Sequence, residues 1–135
     1  MSIYQYRAGI GNAASYQVSG TPYLTGSTLD GAGSNNGQIK IEFPFVTKSI
    51  LVTNTSGSVP IKVHFNSADE GNVVSGHHYF TLEDKKDSAI FNVKCKEVYV
   101  SLVSPGTDGS FELVADLTRI EAREMFDLTG SGLTD

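Results

Sequence analysis

A single cysteine, Cys95, leaves the chain without the means to close an internal disulfide, which excludes a small disulfide-stapled scaffold and is compatible with a reducing cytosol. The opening MSIYQYR lacks the charged start and long apolar stretch of a secretory signal, so no export signal is expected. Apolar runs reach three or four residues, far short of the roughly 18 that cross a bilayer, so no membrane partner is expected. Ten basic residues stand against fifteen acidic ones, a formal charge of −5, and no Lys/Arg run occurs. The basic footprint of a nucleic-acid binder is therefore missing, and no nucleic-acid partner is expected.

What the sequence does contain is a series of short apolar alternations. At 135 residues the chain fits one domain and can bury roughly two-thirds of its unfolded surface without disulfides or structural metal. Residues 1–38 hold much of the glycine and serine and read as an N-terminal arm of extended segments and loops packed on the domain. Residues 30–37 (DGAGSNNG) are its most mobile part, because Gly and Asn tolerate positive φ and no apolar side chain anchors them.

Period-two alternation begins at Ile39, Ile41 and Phe43 and marks a half-buried strand. Ile50, Leu51, Val52 and Thr53, a turn over 54–58, and the alternating stretch 59–65 suggest a hairpin with Pro60 at a strand edge or start. A second hairpin is suggested by residues 78–82 and 89–95 around the turn at 84–87. Val98 to Leu102 and the alternating Phe111, Leu113, Ala115 and Leu117 supply further strands.

About six strands with Gly/Pro/Asn/Asp turns predict an all-β, single-domain antiparallel β-sandwich, jelly-roll or immunoglobulin-like, or a small barrel, with extended N- and C-terminal arms. Its core spans 39–117 and should contain Ile61, Val63, Phe65, Phe91, Val93, Val100, Phe111 and Leu113. Only 118–128 has helical spacing. The end, 129–135, carries Leu133 as its one large apolar residue and reads as a flexible tail able to dock on a neighbour.

Candidate chemistry is sparse. His77 and His78, if on a strand, point to opposite faces and do not share a metal easily. His64 with Asp69 and Glu70 would offer nitrogen and oxygen ligands, but their spacing does not demand a site. Cys95 follows the face of Ala89, Phe91 and Val93, where cysteine is a small buried hydrophobe, and no histidine stands in a motif that would activate it. The stretch GIGNAA at 9–14 lacks the strand and helix that flank a phosphate loop and reads as a turn. Asn54, Thr55 and Ser56 match a glycosylation acceptor but are read as turn chemistry. No catalytic, cofactor or metal residue is therefore assigned.

The interaction candidates are Tyr4, Tyr6, Tyr16 and Tyr23, with Leu133 in the tail. Such aromatics can anchor on a neighbouring subunit, stack on sugars, or pack over the open end of their own sandwich. A carbohydrate- or receptor-binding module would use Tyr23, His77, His78 and Tyr79 on loops. A metal-dependent hydrolase built from His64, His77, His78, Asp69 and Glu70 ranks last.

Several stretches carry a resemblance: SYQVSGTPYLTGS at 15–27, FPFVTKSI at 43–50, HFNS at 64–67, FNVKCKEVYVS at 91–101 and LTGSGLTD at 128–135. Across most of its length the chain resembles virion structural proteins of tailed bacteriophages, especially those infecting marine cyanobacteria and related ocean bacteria. None of these stretches is a catalytic signature. The resemblance implies a protein of the virion, assembled in the host bacterial cytoplasm. Within that class a capsid decoration or cement protein on the head exterior is favoured over a tail, neck or fibre component. It implies the major capsid protein or other virion subunits as partners. A shell's many equivalent sites also suit a symmetric homo-oligomer, a trimer among the options.

Overall fold

The computed structural model describes residues 20–68, 73 and 76–133. Among these, eight strands follow in chain order: β1 (Pro22–Leu29), β2 (Ile39–Glu42), β3 (Phe45–Asn54), β4 (Ile61–His64), β5 (Phe80–Leu82), β6 (Ser88–Phe91), β7 (Glu97–Leu102) and β8 (Gly109–Glu121). They form two four-stranded antiparallel sheets, ordered β1-β8-β3-β6 and β2-β7-β4-β5. No helix of the described residues is long and apolar enough to cross a membrane.

The pairs β1 with β8, β2 with β7, β3 with β6 and β4 with β5 are nested, as in one long hairpin rolled over on itself. This is the strand order of a jelly roll, one of the sandwich topologies the sequence suggests. A closed barrel is not formed, because each sheet keeps two edge strands.

Alternation decides what is buried. Ile50, Val52, Phe111, Leu113, Ala115 and Leu117 of the first sheet face Ile41, Ile61, Val63, Val98, Val100 and Leu102 of the second, and all are buried. Of the predicted core, Phe65, Phe91 and Val93 are only partly buried and pack against this cluster. The reason is position: Phe91 ends the short edge strand β6. Its ring meets Phe65 and Phe80 edge-on at centroid distances of 5.9 and 5.6 Å, closing one side of the sandwich.

Both expected hairpins are corrected. β3 lies in the first sheet and β4 in the second, while β5 lies in the second and β6 in the first, so each turn crosses between sheets. Asn54 supplies the local reason. Its amide nitrogen donates to the Val59 and Leu82 carbonyls, both at 3.0 Å, and its Oδ1 accepts from the Ser56 backbone N–H at 2.9 Å. One buried side chain thus ties the end of β3 to the approach to β4 and to the end of β5, where a hairpin would have used ladder bonds. With both amide hydrogens engaged inside the protein, Asn54 presents no nitrogen for glycosylation. Asn54→Ala should lower stability by about 2 kcal/mol, because buried carbonyls lose donors. A urea series with an unchanged midpoint would contradict this account.

Three further expectations change. Residues 22–29, placed in the arm, form β1 and pair along β8 from Pro22↔Asp116 to Leu29↔Gly109. The sandwich therefore starts before residue 39. The helical spacing at 118–128 is overridden: β8 runs on to Glu121 and only Ala122–Glu124 is helical, as a 3-10 turn. Strand propagation wins because Thr118 is held inside, its hydroxyl donating to the Val46 carbonyl at 2.7 Å.

The loop at 30–37, expected to be mobile, is anchored. The Gly31 N–H donates to Asp108 Oδ1 at 2.8 Å, the Gly106 N–H donates to the Gly31 carbonyl at 2.9 Å, and Gly33 bonds back to Asp30. Gly37 adopts φ +68°, and a Cβ there would fall 2.5 Å from the Asp30 carbonyl, so glycine is required by both conformation and space.

Candidate interaction surface

The residues singled out from the sequence do not converge. Tyr4, Tyr6 and Tyr16, like Asp69 and Glu70, lie outside the described residues, as does the GIGNAA stretch. Tyr23 is half-buried and meets Phe43 edge-on at 5.3 Å, so it packs from β1 onto the core. Leu133 is half-buried, and its N–H donates to the Gly130 carbonyl in a terminal turn. Its neighbour Gly132 lines a hollow next to β5, at the edge of the sandwich opposite Tyr23. Among the described residues no group of three or more His, Cys, Asp or Glu side chains is placed to hold a metal.

Cys95 is fully buried. Burial pushes its thiol pKa up, against a smaller opposing effect from the Thr47 hydroxyl. Thr47 Oγ1 donates to the Val93 carbonyl at 2.8 Å and accepts from the Cys95 backbone N–H at 3.1 Å, so the hydroxyl locks the link between β6 and β7. A neutral thiol enclosed in this way is a poor nucleophile. A thiol reagent should label Cys95 slowly in native protein and quickly in urea. Equal rates would place the sulfur at the surface.

The outward face of the second sheet carries a polar chain. Lys40 bonds Glu97 at 2.8 Å and Glu42 at 3.0 Å, and these carboxylates hold its pKa well above the usual lysine range. The Tyr99 hydroxyl donates to Glu97 at 3.3 Å, and its ring stacks on His64 at 5.7 Å. Lys62, one register step away, is buried with its ammonium 5.1 Å from the centre of the Tyr79 ring, and burial lowers its pKa.

His64 is fully buried. Its Nδ1 donates to the Asn66 carbonyl at 2.7 Å, which leaves Nε2 to accept from the Ser101 hydroxyl at 2.9 Å. Both ring nitrogens are engaged, so this imidazole orders the face and has no lone pair left for catalysis. Asn66 extends the link by donating to the Leu128 carbonyl, fastening the C-terminal segment over the sheet.

A hollow of about 340 Å³ lies beside β5, with His77, His78, Tyr79, Phe80 and Phe65 in its lining. The two histidines are not on a strand. His77 sits in a turn at φ +58°, which breaks the alternation expected to separate them and lets both line the same hollow. Three of the four residues considered for a sugar site are thus together, and Tyr23 is apart.

The feature that the sequence reading missed lies on the outward face of the first sheet. The register aligns Leu24 of β1 with Val114 of β8, Val114 with Leu51 of β3, and Leu51 with Ile90 of β6. These four side chains form one row across all four strands. Leu24, Val114 and Ile90 are 72%, 40% and 68% exposed, so the row faces solvent although its members are apolar. The next row on one side is Gly26, Glu112, Thr53 and Ser88; on the other it begins Pro22, Asp116 and Ser49.

A signal for the row was present. Ile50-Leu51-Val52, Ala89-Ile90-Phe91 and Leu113-Val114-Ala115 are apolar triplets inside alternating strands, and in each the middle residue must face outward. Rows of this kind mark contact surfaces more often than scattered single hydrophobes do.

No family model matches the chain, and no curated protein matches it in sequence.

Proposed function

We propose that this protein is a non-enzymatic structural component of a tailed-phage virion, a capsid decoration protein that binds the head exterior. The observation that carries the reading is the solvent-facing row Leu24, Val114, Leu51 and Ile90, an apolar line that crosses all four strands of the first sheet. A jelly roll supports it further, since the fold recurs in capsid proteins, although it recurs in lectins and cupins as well. The resemblance over 15–27, 43–50, 64–67, 91–101 and 128–135 supplies the particle class. A symmetric homo-oligomer would multiply weak contacts across a shell.

The test is direct. Purified particles should contain the protein at a fixed ratio to the major capsid protein, and particles lacking it should take up recombinant protein to that ratio. Absence from particles, or uptake without saturation, would defeat the proposal. Saturable binding confined to tail fractions would move it to the tail or neck.

A second reading is favoured by the hollow that gathers His77, His78, Tyr79 and Phe80: a carbohydrate- or receptor-binding module. Saturable binding on a glycan array, lost in Tyr79→Ala, would support it. An array without binding would remove it.

A further inference from the structure

The chemistry of the rows beside Leu24, Val114, Leu51 and Ile90 specifies what can cover them. Glu112 and Asp116 sit on β8 on either side of Val114, and both adjoining rows hold carboxylates with no Lys or Arg among their register positions. A second copy stacked row on row with Leu24 over Leu24 would oppose Glu112 to Asp116, and with Leu24 over Ile90 it would set Glu112 over Thr53 and Asp116 over Ser49. Like charges opposed, or carboxylates covered without a cation among the facing register positions, weaken such a contact. Size argues the same way: four strands at about 4.8 Å spacing make a line roughly 15 Å long, and at about 7 Å of strand per outward-facing residue the row covers on the order of 100 Å², well short of the ~800 Å² per partner of a stable free-standing interface. The line suits a contact repeated many times on a larger body.

We propose that this face docks a protein partner presenting an apolar ridge flanked on both sides by lysine or arginine, and that it does not join two copies of this chain. The inference rests on the reading of this face as the docking face and adds the partner's charge pattern.

Two helical peptides serve as probes, each with a leucine stripe along one face, bordered on both sides by lysine in one and by glutamate in the other, followed by backbone amide shifts in NMR titrations. The lysine peptide should shift Leu24, Val114 and Ile90 and bind about tenfold more tightly than the glutamate peptide, the scale of one well-placed charge contact. Glu112→Gln with Asp116→Asn should abolish that preference. Leu24→Ser with Ile90→Ser should weaken both peptides by roughly tenfold or more. These side chains are solvent-facing, so circular dichroism should show an intact fold; the milder Leu24→Ala supplies the comparison if it does not.

Equal binding of the two peptides, or shifts confined to another face, overturns the proposal. A self-association in sedimentation equilibrium that disappears in Leu24→Ser with Ile90→Ser also overturns it, since a second copy would then be the occupant. Particle uptake separates the two levels. Normal uptake of that double variant removes this face and leaves the virion reading standing. Absence of the protein from particles, with the peptide preference intact, removes the virion reading and leaves the charge pattern of the face.

Discussion

Phe111→Ala should destabilise the protein by about 3–5 kcal/mol, a large part of the roughly 5–15 kcal/mol that holds a domain of this kind together. Phe111 is 2% exposed and heads the largest fully buried side chains. It lies on β8, opposite Ser27 of β1 on one side and Asn54 of β3 on the other. A strand bonded along both edges cannot shift to refill the space, so the cavity term should approach its full value. Urea denaturation should show a much lower midpoint with an unchanged slope, the signature of lost stability without a changed transition. A loss below about 1 kcal/mol would mean that Phe111 does not occupy the centre of the sandwich. Phe91→Ala should cost less, about 1–2 kcal/mol, because a half-buried ring on an edge strand gives up less burial and leaves a gap open to solvent.

The contrast between these two phenylalanines shows what the sequence carried. Both sit in period-two alternation, and alternation correctly assigned each to the inward-facing set of its strand. It holds no information about whether a strand is central or at an edge, and that difference separates Phe111 from Phe91. Pairing was equally hidden. β1 and β8 meet although about ninety residues separate Tyr23 from Ala115, whereas sequence proximity suggested the hairpins at 50–65 and 78–95. The decisive bonds at the crossing come from Asn54, whose residue type indicated a turn but not which carbonyls it would reach.

The candidate surface follows the same logic. Three apolar triplets could be seen to turn one side chain outward. Their alignment into a single line depends on inter-strand register, and Leu24 had no triplet to mark it. Conversely, Tyr23 attracted notice as an aromatic among glycines, yet the edge strand that carries it turns the ring onto Phe43.

The buried imidazole leads to the other large effect, a loss of stability in mild acid. His64 is neutral in the folded protein, its Nδ1–H donated to the Asn66 carbonyl and its Nε2 accepting from Ser101. A second proton would have to enter at Nε2, turn the Ser101 hydroxyl around, and place a charge inside the protein within reach of the Lys62 field. Burial is the main cause that pushes the pKa down to about 4, with Lys62 adding to it and the Asn66 carbonyl opposing it. In the unfolded chain the group titrates near 6.5. Above pH ~6.5 both states are neutral and the contribution of His64 is complete. As the pH falls from there to about 4, the unfolded chain takes up a proton that the folded protein refuses, so stability declines through this window. The full loss is on the order of 3 kcal/mol, and below the folded pKa this group removes no more. Urea midpoints at pH 7, 6 and 5 should therefore fall steadily in a range where most carboxylates remain ionised. The fall should be much reduced in His64→Gln, whatever that change does to stability at pH 7, because the titrating ring is gone. Identical midpoints at pH 7 and 5 in the unsubstituted protein would show that His64 can be protonated where it stands, and that the polar chain over the second sheet is open to water.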